Sequence, residues 1–378
     1  MAPPVGRNQC VSAQTGGAVW LPFSTYETFA VPATSSSSTS NHTPPYYWGI
    51  DIGGTSIKCG LVDHDGNTVA FEQVPTKESA GPEAAVKRLT EVINETETKT
   101  ATAGQVKRIG MGAPGPMDLP RGLLVAPPQL PSWWDFPIVQ KLSEATGRGV
   151  SFLNDANAAA YGEFWLGSGA KQNSMILLTL GTGVGGGIII ENELVNGVNS
   201  FGSECGHILV DTADDAMLCE WGGGRGQLEA YASATGVSAI ARKKLAETPD
   251  SLLHRYVGPE ADDEGLTSKR VHDAAVEDDA LALAIIDETA RWLGIAVTTL
   301  VHTVDPGNVV LGGAMDFGGA KCSVGKRFLD GIRTEFRQRT FDNVAAGTQI
   351  NFATLGSAAG YLGAAGYAQK EATQTDAS

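Results

Sequence analysis

The glycines of the segment TLGTGVGGGIIIE, Thr179 to Glu191, are the residues of this chain that point most directly to chemistry. Gly181, Gly183 and Gly186 have the G-x-G-x-x-G spacing of dinucleotide-binding loops, in which glycines let the backbone approach a pyrophosphate. Such a loop must lie between a strand and a helix, because the helix N-terminus binds the phosphates. Here three isoleucines follow at once, and a β-branched run favours a strand. We therefore expect a strand–glycine–strand turn, which disfavours NAD and favours another phosphate ligand.

A second glycine turn occurs earlier, in Asp51-x-Gly53-Gly54-Thr55, again between two β-rich segments. Taken alone, either turn is consistent with a tight β-turn whose glycines need a positive φ. Because the turns form a pair, each with a threonine (Thr55 and Thr182), we interpret them as hairpins that offer backbone N–H groups to a phosphate chain. Asp51 ends a buried apolar strand, where a carboxylate can hold Mg²⁺ through water or simply cap the turn.

The dipeptide Asn154-Asp155 stands where a strand, VSFL, should end and an alanine-rich helix from Ala156 to about Leu166 should begin. Asn and Asp are among the preferred residues at a helix N-cap, because their side chains accept hydrogen bonds from the first free N–H groups. The residues alone therefore predict a capping role here.

Strands and helices that position these residues repeat in two halves. The first half has three predicted strands from Tyr46 onward, and the pattern restarts with three strands at Met175. Alternating helices and strands follow in each half, with predicted helices at 82–98, 138–146, 156–166, 228–247, 268–275, 279–304 and 357–369 and predicted strands at RIGMGA, VSFLN and NVVLGG. This shared plan predicts a duplicated α/β architecture with a ligand-binding cleft between two lobes.

Length and composition limit the possible classes of protein. A chain of 378 residues, 42% of them hydrophobic, is long enough for two domains. Its 27 Lys and Arg against 42 Asp and Glu give a net charge of −15, which disfavours nucleic-acid binding. No apolar run is long enough to span a membrane. The five cysteines are odd in number and scattered, which favours a reduced, cytoplasmic protein over a disulfide framework.

Domain boundaries follow from the same reading. Residues 1–45 are rich in Ser, Thr, Pro and Ala without periodicity, and we predict a disordered extension there. We predict a small N-terminal lobe over 46–167, joined by the C-terminal helix 357–369, and a larger C-terminal lobe over 168–356. Residues 370–378 are predicted to be a disordered tail.

Five motifs in order, GIDIGGTSIKCGLVD, FLNDANAAAYGE, LGTGVGGG, SECGH and LGGA, give the chain a resemblance to the ROK sugar kinases. That family is a branch of the hexokinase and actin-like ATPase superfamily, and the resemblance extends from about Trp48 to Gln369. It implies two RNase-H-like lobes that close on a hexose, with ATP and Mg²⁺ as cofactors. Homodimers and homotetramers would both fit the family.

The resemblance also implies roles for individual residues. Asp155 would be the general base that accepts the proton of the sugar's 6-hydroxyl. The phosphate and nucleotide contacts would come from Asp51, Gly53, Gly54, Thr55, Lys58, Gly181, Thr182, Gly183, Gly312 and Gly313, the last two lying beside the adenosine. The sugar would be held by Asn154, Glu204, His207 and Glu229, with Gly115 in a loop at the mouth of the cleft.

Two of these assignments have alternatives in the sequence. Glu204 and His207 could be a surface turn pair, and Glu229 could be an exposed first-turn residue of a helix, stabilised by the helix dipole. In the cleft-mouth loop the commoner family residue is Asn, where this chain has Gln129.

Many ROK proteins hold a structural zinc ion with the histidine of the SECGH-type motif and three cysteines. This chain has Glu220, Gly222 and Gln227 at the cysteine positions, and only Cys219 lies nearby. One thiolate and one imidazole do not make the usual four-ligand site. We therefore predict that the zinc site is lost and that the glycine-rich loop holds Glu229 by its backbone geometry.

Other activities stay open at this point. ROK regulators sense sugars and bind DNA through an N-terminal helix-turn-helix, whereas residues 1–45 here are nearly uncharged and rich in Ser and Pro. The segment Ile57-Lys58-Cys59-Gly60 also resembles polyphosphate glucokinases. Glucose is the expected hexose, with mannose, fructose, allose or an N-acetylated amino sugar as alternatives, because a few hydrogen bonds decide this choice.

Overall fold

The computed structural model describes residues 42–220, 222–257 and 265–377. Its first half contains seven strands. They are β1 (Tyr46–Ile52), β2 (Ser56–Val62), β3 (Thr68–Pro75), β4 (Val106–Ala113), β5 (Met117–Asp118), β6 (Leu123–Leu124) and β7 (Val150–Asn154). Five of them form one sheet in the order β3-β2-β1-β4-β7, while β5 and β6 form a separate hairpin. The three-stranded antiparallel part is extended by β4 and β7, which run parallel to β1.

The second half repeats this arrangement. Its strands are β8 (Met175–Leu180), β9 (Val184–Ile190), β10 (Glu193–Leu194), β11 (Asn308–Gly312) and β12 (Gln349–Phe352). They form a second five-stranded sheet in the order β10-β9-β8-β11-β12, again with an antiparallel meander followed by two parallel strands. The predicted duplication is therefore confirmed, and each predicted glycine turn joins the first two strands of its sheet.

Ten α-helices cover the sheets within the described residues. They are α1 (Pro82–Thr100), α2 (Ile138–Thr146), α3 (Asp155–Trp165), α4 (Leu228–Ala232), α5 (Ala234–Leu245), α6 (Ser268–Val276), α7 (Ala280–Val304), α8 (Ser323–Arg339), α9 (Asp342–Gly347) and α10 (Ala359–Ala377). The described helices include none that is both long and apolar enough to cross a bilayer. The four cysteines in the described residues form no disulfide.

The C-terminal helix α10 packs against the first sheet. A Cβ atom at Gly49 or Gly110, on neighbouring strands, would collide with the carbonyl groups of Tyr361 or Ala364 in this helix. Only glycine allows the helix backbone to approach the sheet so closely. The last helix in the sequence therefore packs on the sheet formed by the first half.

The C-terminal helix is longer than predicted. It continues to Ala377, so the predicted disordered tail at 370–378 is wrong for 370–377. Glu371 pairs with Arg108 at 2.9 Å, and Lys370 pairs with Glu193 at 2.7 Å, which hold this part of the helix against both halves of the chain.

Other boundaries also differ from the prediction. The predicted helix over 228–247 is two helices, because Ser233 is extended and its hydroxyl caps α5 by accepting from Gly236 N at 3.0 Å. Residues 1–41 of the predicted extension lie outside the described residues. Its last residues, 42–45, are described, and there Thr43 O accepts a hydrogen bond from His64 N at 2.9 Å, which attaches this segment to the fold. Helices α8 and α9 and strand β12 were not predicted.

Candidate functional site

The first glycine hairpin, residues 53–55, joins β1 to β2 at the carboxyl end of β1. Gly53 N donates to Ser56 O at 3.0 Å and closes the turn. The backbone N–H groups of Gly54 and Thr55 have no acceptor in the part of the protein that the structure describes, and both residues are exposed. Successive exposed backbone donors without an acceptor are the kind of groups that can bind an anion.

The second hairpin, residues 181–183, joins β8 to β9 in the same way. Gly181 N donates to Gly183 O at 2.9 Å, while the N–H groups of Thr182 and Gly183 lack an acceptor among the described residues. A Cβ atom at Gly181 would meet no atom of the described residues within 4 Å, apart from its own chain neighbours, so packing among these residues does not require glycine here. A missing side chain above open space leaves room for a ligand to approach the backbone.

The alternative interpretation of these turns, that their glycines provide a positive φ, is wrong. None of the four glycines Gly53, Gly54, Gly181 and Gly183 has a positive φ. Gly183 is instead required by packing, because a Cβ atom there would collide with the Glu229 carboxylate. The dinucleotide interpretation also fails, since β9 begins at Val184 directly after the turn and no helix follows.

Gly312 and Gly313 lie at the end of β11, beside the second hairpin. Gly313 has φ +92°, and a Cβ atom there would collide with the backbone of Leu180, the last residue of β8. Met315 N also donates to Leu180 O at 2.9 Å, which fixes the chain after the two glycines. The structure thus places this glycine pair next to the predicted phosphate hairpin.

Asp51 and Lys58 face each other across β1 and β2. Lys58 Nζ lies 3.6 Å from Asp51 Oδ2 and donates to Ser357 O at 3.2 Å. Burial raises the pKa of Asp51, and Lys58 partly opposes this effect. The Lys58 ammonium thus already has two protein partners, whereas Asp51 is a carboxylate at the end of a strand, the kind of oxygen donor that Mg²⁺ takes.

Asn154 and Asp155 divide two tasks between them. Asn154 is the N-cap of α3, and its Oδ1 accepts from Ala156 N at 2.9 Å and Asn157 N at 3.4 Å. Asp155 is the first helical residue, and its Oδ1 also accepts from Ala156 N, at 2.8 Å. Because β1, β4 and β7 are parallel neighbours, Asp51 and Asp155 lie at the same sheet edge. The capping prediction is confirmed for Asn154. Asp155 uses Oδ1 for the bond from Ala156 N, and its Oδ2 accepts no hydrogen bond from the described residues.

Asp155 is an exposed residue, although neighbouring protein atoms limit the solvation of its carboxylate. Its limited solvation raises its pKa to about 6, opposed by the Ala156 hydrogen bond and reinforced by the negative charges of Asp51 and Glu204. A carboxyl group in this environment titrates nearer neutral pH than an ordinary aspartate does.

Glu204 precedes a short 3₁₀ turn, Cys205–His207, which His207 ends, and His207 N donates to Glu204 O at 3.1 Å. Glu204 is exposed. Neighbouring protein atoms nevertheless limit the solvation of its carboxylate and raise its pKa, while His207 lowers the pKa and the Glu229 charge raises it. A Cβ atom at Gly115 would be 3.6 Å from Asn154 Nδ2, so the loop that contains Gly115 reaches the strand end beside Asp155. That these residues surround a sugar beside Asp155 remains a prediction.

Glu229 is buried, 7% exposed, so its alternative interpretation as an exposed first-turn residue is wrong. Its Oε2 accepts from Val184 N at 2.7 Å, and its Oε1 accepts from the Cys219 thiol at 3.2 Å. Cys219 belongs to the glycine-rich loop, where its backbone N–H donates to Gly224 O at 3.0 Å, and the role of this loop in holding Glu229 remains a prediction. The Cys219 side chain and the β9 backbone thus both bind this carboxylate.

His207 is oriented by an amide. His207 Nδ1 lies 2.9 Å from Gln227 Oε1, and Gln227 is 6% exposed. A carbonyl oxygen accepts from a protonated Nδ1 and leaves Nε2 as an acceptor. The described residues contain no group of three or more His, Cys, Asp or Glu side chains placed to hold a metal. The loss of the zinc site remains a prediction, and Gln227 supplies a partner for His207.

Two residues that the sequence reasoning missed contact the hairpins directly. The Thr76 hydroxyl donates to Gly53 O at 2.6 Å, and the Thr235 hydroxyl donates to Thr182 O at 2.8 Å. They lie 23 and 53 residues from their partners along the chain, and threonine has no motif that would mark such a contact. Only the three-dimensional fold shows these contacts.

Comparison with known proteins identifies the family. The ROK family model matches residues 47–371. A glucokinase of Halalkalibacterium halodurans is 35% identical over 324 residues, covering 84% of this chain and 93% of the relative. The crystal structure of a ROK family glucokinase from Streptomyces griseus in complex with glucose and AMPPNP is 32% identical and has a TM-score of 0.67, covering 86% of this chain and 99% of that chain.

A protein of a different kind also matches. A xylose repressor of Caldicellulosiruptor bescii is 31% identical over 294 residues, covering 78% of this chain and 70% of the repressor. The match to the family model spans both sheets and every candidate site residue. This chain therefore belongs to the ROK family and has its duplicated actin-like ATPase fold.

Proposed function

We propose that this protein transfers the γ-phosphoryl group of ATP to the 6-hydroxyl of glucose. The observation that carries the proposal is the pair of hairpins, which present the unpaired N–H groups of Gly54, Thr55, Thr182 and Gly183, together with Asp155. The similarity to glucokinases, one of them in complex with glucose and AMPPNP, supports a hexose kinase and ATP as the donor. Phosphoryl transfer depends mainly on positioning and charge stabilisation, which such backbone donors supply.

The residues divide the substrates between them in this proposal. The hairpins bind the ATP phosphates, and Gly312 and Gly313 lie beside the adenosine. Mg²⁺ bound with ATP would neutralise phosphate charge, and Asp51 is the residue whose carboxylate fits it through water. Lys58 contributes positive charge close to Asp51.

Asp155 acts as the general base. One of its oxygens accepts from Ala156 N, so the carboxylate has a fixed direction, and the other oxygen accepts the proton of the attacking hydroxyl. Its pKa of about 6 keeps it ionised at neutral pH while making it a stronger base than an ordinary aspartate. Asn154, Glu204, His207 and Glu229 bind the other hydroxyls, with Gly115 at the mouth of the site.

A coupled assay of ADP release over a hexose panel tests this proposal. The panel contains glucose, mannose, fructose, allose and N-acetylmannosamine, each with ATP and with polyphosphate as donor. We expect the highest kcat/KM for glucose with ATP. A higher value for another sugar would reassign the substrate, and faster turnover with polyphosphate would reassign the donor.

The xylose repressor among the relatives makes a sugar-responsive regulator the competing function. The two functions differ in one measurable respect, because a regulator binds sugar without turnover. Sugar binding with no ADP release, together with sequence-selective retention of genomic DNA fragments in a low-salt gel shift, would replace the kinase proposal.

A further inference from the structure

Thr76, which follows β3 and is fully buried, binds the first hairpin on the side that faces the core. Its hydroxyl donates to Gly53 O at 2.6 Å, and its backbone N–H donates to Thr55 O at 2.9 Å. Arg88 of α1 donates from Nη2 to Thr76 O, so Thr76 is itself held in place. Two carbonyl oxygens of the hairpin are therefore bound on the side of the protein core.

The second hairpin is held in the same manner at the start of α5. Ala234 N donates to Gly181 O at 2.8 Å, and the Thr235 hydroxyl donates to Thr182 O at 2.8 Å. The Ser233 hydroxyl lies 2.9 Å from the Thr235 hydroxyl and helps to fix its direction. Each hairpin thus has one backbone N–H and one threonine hydroxyl on its carbonyl oxygens, although the residues come from unrelated elements.

The planarity of the peptide unit connects these contacts to phosphate binding. A carbonyl and the N–H of the following residue share one plane and point in opposite directions in a trans peptide. A hydrogen bond to Gly53 O therefore turns Gly54 N–H away from the core, and a bond to Thr182 O does the same for Gly183 N–H. Both of these N–H groups are among those without an acceptor in the described residues.

We propose that Thr76 and Thr235 are positioning residues that aim the phosphate-binding N–H groups of the two hairpins. Neither threonine touches the phosphates, and each acts through the peptide unit that it holds. This inference rests on the proposed function, because it assumes that the hairpins bind the phosphates of ATP. It adds that a matched pair of hydroxyls, one on each hairpin, sets the direction of those donors.

The test compares Thr76→Val and Thr235→Val with matched controls. Valine keeps the shape of threonine and removes only the hydroxyl. Thr289 is also fully buried and donates to Ile285 O at 2.8 Å, so Thr289→Val controls for Thr76→Val. Thr90 is half-buried like Thr235 and donates to Val86 O at 2.9 Å, so Thr90→Val controls for Thr235→Val. Thr76→Ser and Thr235→Ser keep the hydroxyl.

We expect kcat/KM for ATP to fall about tenfold in each hairpin variant, because small misplacements of transition-state donors are costly. The Kd for sugar measured without nucleotide should stay within about twofold, since the sugar does not depend on these N–H groups. The serine variants should recover most of the loss. Values for the valine variants no lower than those of their controls, or serine variants as impaired as valine, would overturn the proposal.

A second measurement separates this inference from the proposed function. If the wild-type protein phosphorylates no sugar, the kinase proposal fails, and calorimetry with tripolyphosphate then tests the hairpins directly. Tripolyphosphate binding that weakens in both valine variants and recovers in the serine variants would support the positioning role on its own. A wild-type protein that binds neither AMPPNP nor tripolyphosphate would overturn both proposals.

Discussion

Helix α3 carries a carboxylate near each end, and the two have opposite surroundings. Glu163, near the C-terminal end, is fully buried and accepts five hydrogen bonds, from the N–H and hydroxyl groups of Ser168 and Thr354 and from Leu355 N. Asp155, at the N-terminal end, is open to solvent and accepts one hydrogen bond, from Ala156 N. Among the described residues, one helix therefore holds a carboxylate with five donors and another with a single donor.

The difference separates structural from chemical use of the same functional group. Ser168 lies between α3 and β8, and Thr354 and Leu355 lie between β12 and α10. These are the two segments by which the chain passes between its two sheets, so Glu163 ties both crossings together. The Glu163 carboxylate stabilises these two segments through its five hydrogen bonds. The Asp155 carboxylate has fewer hydrogen-bond donors to stabilise its negative charge. Its raised pKa means that it takes up a proton more readily than an ordinary aspartate does.

The largest expected effect comes from Asp155→Asn. Asparagine keeps the shape and the Oδ1 that accepts from Ala156 N but cannot accept a proton, so kcat should fall by about 10³-fold. Sugar Kd should stay within a few-fold, because the hydrogen bonds to the other hydroxyls remain. Steady-state kinetics and calorimetry measure the two quantities. Unchanged turnover would show that Asp155 is not the general base, and the contrast between a chemical carboxylate at Asp155 and a structural one at Glu163 would then fail.

Glu163→Gln should act in the opposite way, on stability more than on chemistry. The amide NH₂ of glutamine would face Ser168 N–H, so buried donors lose their acceptor, and we expect a loss of about 2–4 kcal/mol in the free energy of unfolding. Denaturant titration measures this value.

Glu277→Gln is the control for Glu163→Gln, because Glu277 is half-exposed in an ion pair with Arg255, and its loss should cost less than about 1 kcal/mol. Equal losses in the two variants would show that the buried hydrogen bonds of Glu163 contribute no special stability.

The sequence allowed only one side of this contrast to be predicted. Asp155 lies in a local motif, and the helix N-cap at Asn154 and the strand before it can be read from adjacent residues. Glu163 accepts hydrogen bonds from Thr354 and Leu355, which lie 191 and 192 residues away in the sequence. Thr76 and Thr235 are similar cases. Local spacing predicted these turns, the N-cap and the positions of the strands along the chain, whereas hydrogen bonds between distant segments depend on packing that no local pattern records.

The pH dependence of activity gives a third, smaller effect. Because limited solvation raises the pKa of Asp155 to about 6, kcat/KM should be flat above that pH and fall about tenfold per pH unit below it. A profile that breaks near pH 4 would indicate an ordinary aspartate.

The same shift has a consequence for stability. The folded state binds this proton more tightly than the unfolded state, so ionisation of Asp155 destabilises the fold as pH rises from about 4 to about 6. Asp155→Asn removes this penalty. The variant should therefore have a higher Tm than wild type at pH 8, and the difference should vanish at pH 4. A Tm difference independent of pH would contradict the shift.

The smallest effect concerns His207, which depends on Gln227 for its direction. Gln227→Leu removes the Oε1 that accepts from His207 Nδ1, so the ring loses its orientation, and KM for the sugar should rise about fivefold while kcat stays within about twofold. Gln227→Glu keeps an acceptor at this position and should retain most of the affinity. Asp155→Asn lowers kcat and spares binding, whereas Gln227→Leu should weaken binding and spare kcat. A Gln227→Leu variant with unchanged KM would show that His207 does not need the hydrogen bond to Gln227 in order to bind the sugar.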